Sequence, residues 1–218
     1  MAFSFPLTPA QFMSVLPVQD ITFDVAEAME MSETGGGEVL MADLGSRLWR
    51  GKVTLGDMTA DEAADVVPMI DILRRGGGSF MAYDVSRPAP RYDPTGTILG
   101  AASPVLAQVH ANMRDIRIGG LPNGYRIRPY DYVAFAYGTN PVRYALHRAV
   151  IQRIATSDGT TGWFEVTPNL RPGFAIGAAV TLLKASCKAV IVPNSFQAGR
   201  RKATMTTGVS FDFVQTLR

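Results

Sequence analysis

The chain has 218 residues, more than a minimal domain and fewer than two average ones, and 47% of them are hydrophobic, which excludes a disordered tail. Only 18% are charged, and the net charge of +2 conceals two unlike halves: residues 1–109 carry 7 basic and 14 acidic side chains, residues 110–218 carry 14 and 5. These sums of −7 and +9 exclude a uniformly basic nucleic-acid binder, and they fit either head-to-tail pairing of copies or two domains of unrelated surface composition.

Local patterns predict the first elements. A capping pattern from Thr8 to Gln11 predicts one or two helical turns that end before Pro17. Two later segments, residues 20–25 and 46–55, alternate between apolar and polar residues, which is the period of a half-buried antiparallel strand. We expect the apolar face of the second segment to be buried; it carries Trp49, Gly51, Val53 and Leu55.

One helix is predicted clearly, over residues 59–75. Thr59 and Glu62 form a capping box, in which the hydroxyl and the carboxylate satisfy free amides of the first turn. An apolar stripe follows at helical spacing, made of Ala63, Val66, Val67, Ile70 and Leu73. Arg74 and Arg75 lie where the helix dipole favours cations, and three glycines end the helix. Pro68 removes one backbone bond and predicts a kink.

The second half reads as short strands. A segment rich in Pro, Gly, Ser and Ala, residues 84–104, predicts a domain boundary. Short segments separated by turn signals follow, without a helix long enough for a crossover, which predicts a small barrel or sandwich. The last segment, residues 203–214, alternates again and needs a sheet to pair with; its apolar face carries Met205, Val209, Phe211 and Phe213.

These elements predict a mainly β protein with one clear helix, in which one domain is inserted into another. The first domain, a β-sandwich or split barrel, takes residues 1–94 plus 194–218 and includes the helix. Residues 95–193 are expected to form the inserted small β-barrel. The reason is size, because about 90 residues form a small core that gains from a returning strand.

No pattern of catalytic residues emerges, and we expect no catalytic, cofactor-binding or metal-binding residues and no enzymatic activity. His110 and His147 lack partners at metal-ligand spacing and are interpreted as ordinary surface or strand residues. The glycine triplets at 35–37 and 76–78 do not lead into a helix N-terminus, so they are interpreted as turns. Residues 158–162 lack the ligands of a calcium loop and are interpreted as a hairpin turn.

Two further sets of residues have alternative readings. The acidic residues near the helix start are Asp57, Asp61, Glu62 and Asp65, and their place in a first helical turn is sufficient structural reason for them. Trp49 and Trp163 occupy alternating strand positions, where tryptophan belongs to the core more often than to a sugar-stacking platform. Both readings of the tryptophans stay open at this point.

The chain shows no pattern of export or disulfide bonding. Its one cysteine, Cys187, excludes an internal disulfide and a cysteine metal cluster. Residues 1–6 do not resemble a signal peptide, and the longest apolar stretch, residues 175–183, is far shorter than the roughly 20 residues that cross a bilayer. We therefore expect synthesis in a cytoplasm and no membrane insertion.

Two groups of motifs, one in each half, carry a family resemblance. The first is LWRGKVTLGDMTADEA at 48–63 with ILRRGGGSFMAYD at 72–84 and Arg87-Pro88. The second is IRPYDYVAF at 127–135, followed by residues 147–150, 157–159 and 166–172. Over about residues 40–218 the chain resembles the distal tail proteins of long-tailed (siphovirus-type) bacteriophages, of the kind found in alphaproteobacterial phages and gene transfer agents. Tyr130 departs from the family, which usually has glycine before Asp131, so we expect the turn there to differ.

The resemblance implies a structural role in the virion. It implies a homo-oligomeric, six-fold ring at the distal end of the tail, with the first domain forming the ring and the barrel projecting outward. The implied partners are other copies of the chain, the tail tube protein, the baseplate hub or tail-associated protein, and the tape-measure and receptor-binding proteins. Two alternatives remain open: a carbohydrate-binding module that uses Trp49 or Trp163, and another tail-tube or hub component.

Overall fold

The computed structural model describes residues 3–43, 45 and 47–218. Strands account for 41% of the structure, and the described residues contain one α-helix. The sequence-based prediction of a mainly β fold with a single clear helix is therefore confirmed. The finer expectation of a sandwich or split barrel for the first domain stays a prediction.

Among the described residues, seventeen strands and one helix follow one another along the chain. Before residue 100 they are β1 (Val18–Val25), β2 (Met29–Glu33), β3 (Val39–Asp43), β4 (Trp49–Leu55), β5 (Met58–Thr59), α1 (Ala60–Leu73) and β6 (Phe80–Ala82). The middle strands are β7 (Val105–Val109), β8 (Asp115–Gly119), β9 (Arg126–Ile127), β10 (Tyr132–Tyr137), β11 (Arg143–Ala149), β12 (Arg153–Ile154), β13 (Phe164–Thr167) and β14 (Val180–Thr181). The last strands are β15 (Cys187–Ile191), β16 (Gln197–Arg201) and β17 (Met205–Gln215).

Helix α1 begins as its capping box predicts. Glu62 Oε2 accepts a hydrogen bond from the Thr59 amide at 2.8 Å, and Thr59 Oγ1 accepts one from the Glu62 amide at 3.3 Å. The predicted stripe faces the core, with Val67 half-buried and the others buried: Ala63, Val66, Ile70 and Leu73. The earlier pattern at Thr8 also caps, and residues 9–15 form hydrogen-bonded turns that do not extend into a regular helix. The Phe12 amide bonds to the Thr8 carbonyl four residues back, and the Ser14 amide to the Pro9 carbonyl five residues back.

A seven-stranded antiparallel sheet combines strands from the first and the last part of the chain. Its order is β1-β4-β17-β15-β6, with β5 and β16 also paired to β17. The C-terminal strand is therefore central, and Phe211 of β17 lies opposite Val53 of β4. One pairing differs from expectation: β15 lies within residues 95–193, which were assigned to the barrel, yet it pairs with β6 and β17. Its alternating buried residues complete the core of the first sheet instead.

The middle of the chain forms a nearly closed barrel. Six strands follow the order β14-β10-β11-β13-β8-β7. The two end strands approach each other through a bridge between Val105 and Ala179, supported by a bond from the Leu106 amide to the Ala178 carbonyl at 2.9 Å. The pairing of the first and last strands is what closes a sheet of this size into a barrel.

Two hydrophobic cores result, and they meet at one place. The first lies between the seven-stranded sheet and α1, and the second fills the barrel. Tyr132 and Ala134 of β10 and Leu146 of β11 belong to the first core although their strands form the barrel wall. The outer face of the barrel therefore packs against the first sheet. No helix in the described ranges is long and apolar enough to cross a bilayer.

Candidate functional site

Trp49 stands at the contact between the sheet and the barrel. Its side chain is 0% exposed, and its Nε1 donates a hydrogen bond to the Leu146 carbonyl at 2.7 Å. Its ring packs against Phe23 and Tyr132, with centroids 5.2 and 5.6 Å away. The core interpretation of Trp49 is confirmed, and the alternative in which it stacks on a sugar is wrong, because no face of the indole reaches the surface.

Arg148 of β11 extends this contact toward the surface. Its guanidinium lies 4.8 Å from the Trp49 ring centroid and 4.3 Å from that of Tyr130. Its Nη2 donates hydrogen bonds to the Phe23 carbonyl at 3.0 Å and to Asp24 Oδ1 at 3.2 Å. Arginine suits this position better than lysine does, because its planar guanidinium can stack on aromatic rings and donate hydrogen bonds at the same time. Arg148 therefore connects the barrel wall to β1.

Tyr130 occupies the position where the resemblance predicts glycine. Its φ is +76°, in the left-handed region that favours glycine, so the turn has a conformation that glycine would also adopt. Its ring lies between two guanidinium groups, with Arg87 at 4.2 Å and Arg148 at 4.3 Å. The side chain thus gains two cation–π contacts that glycine could not make.

Buried carboxylates hold the loops around this contact, and sequence reasoning did not single them out. Asp131 accepts hydrogen bonds from the Arg91 and Arg128 amides at 2.9 and 2.7 Å, and burial raises the pKa of its carboxyl. Asp84 accepts one from the Tyr132 hydroxyl at 3.0 Å. These bonds satisfy backbone and side-chain donors, which gives the carboxylates a structural role. Asp84 precedes a turn and Asp131 follows one, and these turn positions are the only signals that the sequence offers for the two carboxylates.

The two histidines differ in burial. His147 is buried in β11, and its Nδ1 donates to the Pro168 carbonyl at 2.7 Å, since a carbonyl oxygen can only accept. Burial lowers the pKa of His147 to about 4. His110 is exposed, with its ring 5.4 Å from that of Trp163. The described residues contain no group of three side chains that could hold a metal ion.

The remaining patterns take the structural places predicted for them. The glycine triplets lie in the turn between β2 and β3 and in the turn that follows α1. Asp158 closes a hairpin turn by accepting a hydrogen bond from the Thr160 amide at 3.1 Å. The hydrogen bond from the Thr156 hydroxyl, and after it the one from the Thr160 amide, lowers the pKa of the Asp158 carboxyl. Trp163 is 37% exposed, so it differs from Trp49 and presents part of its ring to solvent.

A hairpin outside both cores carries the strongest surface feature. Strands β2 and β3 pair with each other and with no other strand of the described residues. Their register puts four apolar side chains on one face, each 49–65% exposed: Met29, Met31, Val39 and Met41. Residues 20–46 contain no Lys or Arg. Four exposed glutamates accompany the apolar side chains: Glu27, Glu30, Glu33 and Glu38. We call residues 27–43 the acidic arm.

A second exposed hairpin has the opposite charge. Strand β16, its turn and the first residue of β17 are fully on the surface, and they carry three adjacent cations: Arg200, Arg201 and Lys202. Among the described strands β16 pairs with β17 alone, so its other edge is open. We call residues 197–205 the basic ribbon. An open edge strand with unpaired amides and carbonyls is a template for pairing with another chain.

Comparisons with known proteins give no match, either to a protein-family model or to a curated protein. The candidate functional surfaces are therefore defined by their own chemistry. They comprise the acidic arm, the basic ribbon and the partly exposed Trp163. The acidic arm and the basic ribbon have the exposed side chains and open strand edges of surfaces that bind protein. Trp163 offers an aromatic ring on which a small ligand could stack.

Proposed function

We propose that this chain is a structural, non-catalytic subunit of a long-tailed phage virion. In this role, copies of the chain form a ring, six-fold by the family resemblance, at the distal end of the tail. The ring joins the tail tube to the baseplate hub, and the subunit reaches the virion by assembly after synthesis in the host cytoplasm. The tape-measure and receptor-binding proteins are the further partners in this proposal.

One observation carries the proposal: the acidic arm exposes an apolar face on a two-stranded hairpin that packs on neither core. A two-stranded hairpin alone is marginally stable in water. Exposed apolar patches of this kind mark surfaces that bind protein. Met31 and Met41, which face each other across the hairpin, are 65% and 64% exposed. A subunit whose working surface is completed by its neighbours accounts for this arrangement.

The charge distribution supports assembly of like subunits. The acidic and basic surfaces are carried by the same chain, so each copy offers both halves of a complementary contact. Contacts between unlike surfaces of identical subunits generate rings when the rotation closes. The resemblance over residues 40–218 supports a distal tail protein in particular, since it covers motifs in both the sheet and the barrel.

The proposal is tested by mixing the purified chain with tubes of the tail tube protein from the same phage and imaging them by electron microscopy. We expect a ring at one end of each tube and none along its length. Tubes mixed with a size-matched unrelated protein are the control. Unchanged tube ends at saturating concentrations of the chain would contradict the proposal.

Carbohydrate binding is a second candidate function, favoured by Trp163. This ring is 37% exposed, and Arg117 lies 5.7 Å from its centroid. An exposed aromatic face beside a donor is the usual platform for a sugar ring. Glycan-array binding that disappears in Trp163→Ala and persists in His110→Ala would support this function. Absence of binding by the unsubstituted chain would contradict it.

A further inference from the structure

We infer that the acidic arm of one copy binds the basic ribbon of a neighbouring copy, through the free edge of β16. The inference rests on the proposed function, which requires copies of this chain to associate, and it names the two surfaces that meet. The binding partner of the acidic arm is thus a second copy of the same chain. The contact joins backbone edge to backbone edge, with glutamates of the arm opposite arginines of the ribbon.

The arm needs a partner that covers an apolar face and accepts its charge. Four of its apolar side chains share one face, and the other face is mixed, with Glu30 opposite Ala42 and Ser32 opposite the exposed Leu40. Both outer edges of the hairpin carry backbone groups that pair with no other described strand. Addition of a strand at such an edge satisfies these groups through main-chain hydrogen bonds.

The basic ribbon meets these requirements within the same chain type. Strand β16 has one free edge, and its residues are exposed along their whole length. Arg200 and Arg201 extend the positive charge along the strand, and Lys202 continues it into the turn. Met205, 39% exposed, adds an apolar contact at the end of the ribbon. Opposite charges across an interface give specificity and fix register.

The two surfaces do not pair within one copy, because β2 and β3 pair only with each other and β16 pairs only with β17 among the described strands. The arm leaves the sheet where Val25 pairs with Trp49, whereas the ribbon pairs near the other end, where Met205 lies opposite Thr59. The seven residues of β4 separate these ends by about 24 Å. Strands β4 and β17 also lie between β1 and β16, which adds about 14 Å across the sheet. Arm and ribbon are therefore diagonally opposed, and their contact joins different copies head to tail.

Charge reversal tests the pairing. One variant carries Glu30→Lys with Glu33→Lys, and the other carries Arg200→Glu with Arg201→Glu. Each alone places like charges together, and we expect its self-association to weaken roughly tenfold or more. Mixed in equal amounts, the two variants restore association, because each arm then finds a ribbon of opposite charge. A chain with all four substitutions should also associate.

The matched control is Arg75→Glu with Arg126→Glu, which makes the same charge change at exposed positions outside the arm and the ribbon. It should associate like the unsubstituted chain. If the control weakens association as much as the ribbon variant does, net charge governs association and the pairing is wrong. A mixture of the two variants that fails to recover association would also overturn the pairing.

Disulfide trapping gives a second readout that does not depend on stable association. A chain with Met31→Cys and Ala198→Cys should form a ladder of covalent oligomers on mild oxidation, because each copy links forward and backward. The native Cys187 is buried, and burial raises the pKa of its thiol to about 12, so it does not compete. Met31→Cys alone should give no ladder.

The outcomes separate this inference from the proposed function. Association of the unsubstituted chain without a ladder, and without an effect of charge reversal, overturns the pairing and leaves the ring proposal standing. A chain that neither associates in scattering, nor forms a ladder, nor adds to tube ends overturns both. A dimer band alone, in place of a ladder, indicates arm-to-arm contact and also overturns the pairing.

Discussion

The indole of Trp49 and the carbonyl of Leu146 are joined by a buried hydrogen bond of 2.7 Å across the contact between the first sheet and the barrel. Trp49 comes from β4, near the start of the chain, and Leu146 comes from β11, 97 residues later. A buried donor of this kind is costly to leave unpaired, so the bond fixes how the barrel wall meets the sheet.

Substitution of Trp49 tests this contact. Trp49→Ala should lower the free energy of unfolding by about 3–5 kcal/mol, because it leaves a large cavity beside Phe23 and Tyr132. Trp49→Phe keeps most of the volume and should lose about 1–2 kcal/mol with the hydrogen bond. Trp163→Ala, at a partly exposed site, should cost about 1 kcal/mol or less. Urea unfolding measures all three, and an unchanged midpoint for Trp49→Ala would refute the assignment.

Gly51 offers a second test of core packing. A Cβ at this position would lie 2.1 Å from the Thr22 carbonyl oxygen and 2.6 Å from the Phe213 ring, and backbone cannot move aside. Gly51→Ala should therefore destabilise the protein by roughly 3 kcal/mol or more. Gly56→Ala is the matched control, since its Cβ would make ordinary contacts at 3.5 Å and beyond. Equal unfolding midpoints for the two variants would show that the sheet does not pack as described.

His147 predicts a loss of stability in acid. Burial lowers its pKa in the folded chain from 6.5 to about 4, so the unfolded chain binds the proton more tightly between these values. The contribution of His147 to the free energy of unfolding is therefore fully present above pH 6.5. On the order of 3 kcal/mol of it is lost as the pH falls to about 4.

The measurement is the free energy of unfolding at pH 7, 6 and 5 for the unsubstituted chain and for His147→Gln, which stays neutral throughout. We expect the unsubstituted chain to lose more stability over this range than His147→Gln does. Parallel pH dependences for the unsubstituted chain and His147→Gln would contradict the assignment of His147 as a buried, neutral side chain.

Tyr130 combines an unfavourable backbone conformation with favourable stacking, and two variants separate them. Tyr130→Ala keeps the left-handed φ of +76° and loses both arginine contacts, whereas Tyr130→Gly loses the contacts and adopts the conformation without strain. The glycine variant should therefore be more stable than the alanine variant by about 1 kcal/mol. Thermal unfolding distinguishes them, and a more stable alanine variant would contradict the backbone conformation.

The sequence predicted those parts of the fold that local chemistry determines. The capping box at Thr59 and the helical spacing after it specify where α1 begins and which face is buried. The alternation around Val53 and Phe211 identified two strands, and the need to cover the apolar face of the second predicted its return to the first domain; that the two strands are direct neighbours is seen only in the structure.

Features that depend on distant residues were not predictable in this way. Strand β15 has an alternating pattern that suits either sheet, and only its neighbours β6 and β17 decide which one it joins. The acidic arm was missed because its alternation resembles that of an ordinary half-buried strand, and exposure is visible only in the structure. Buried Asp84 and Asp131 cannot be told from surface carboxylates until their donors are known.

Association of identical copies is the central claim, and light scattering of the purified, unsubstituted chain over a range of concentrations, at low and at high salt, tests it most directly. We predict a species of six times the mass of one chain at low salt, which dissociates as salt screens the contact between the acidic arm and the basic ribbon. A monomer at every concentration in both salts would contradict the account.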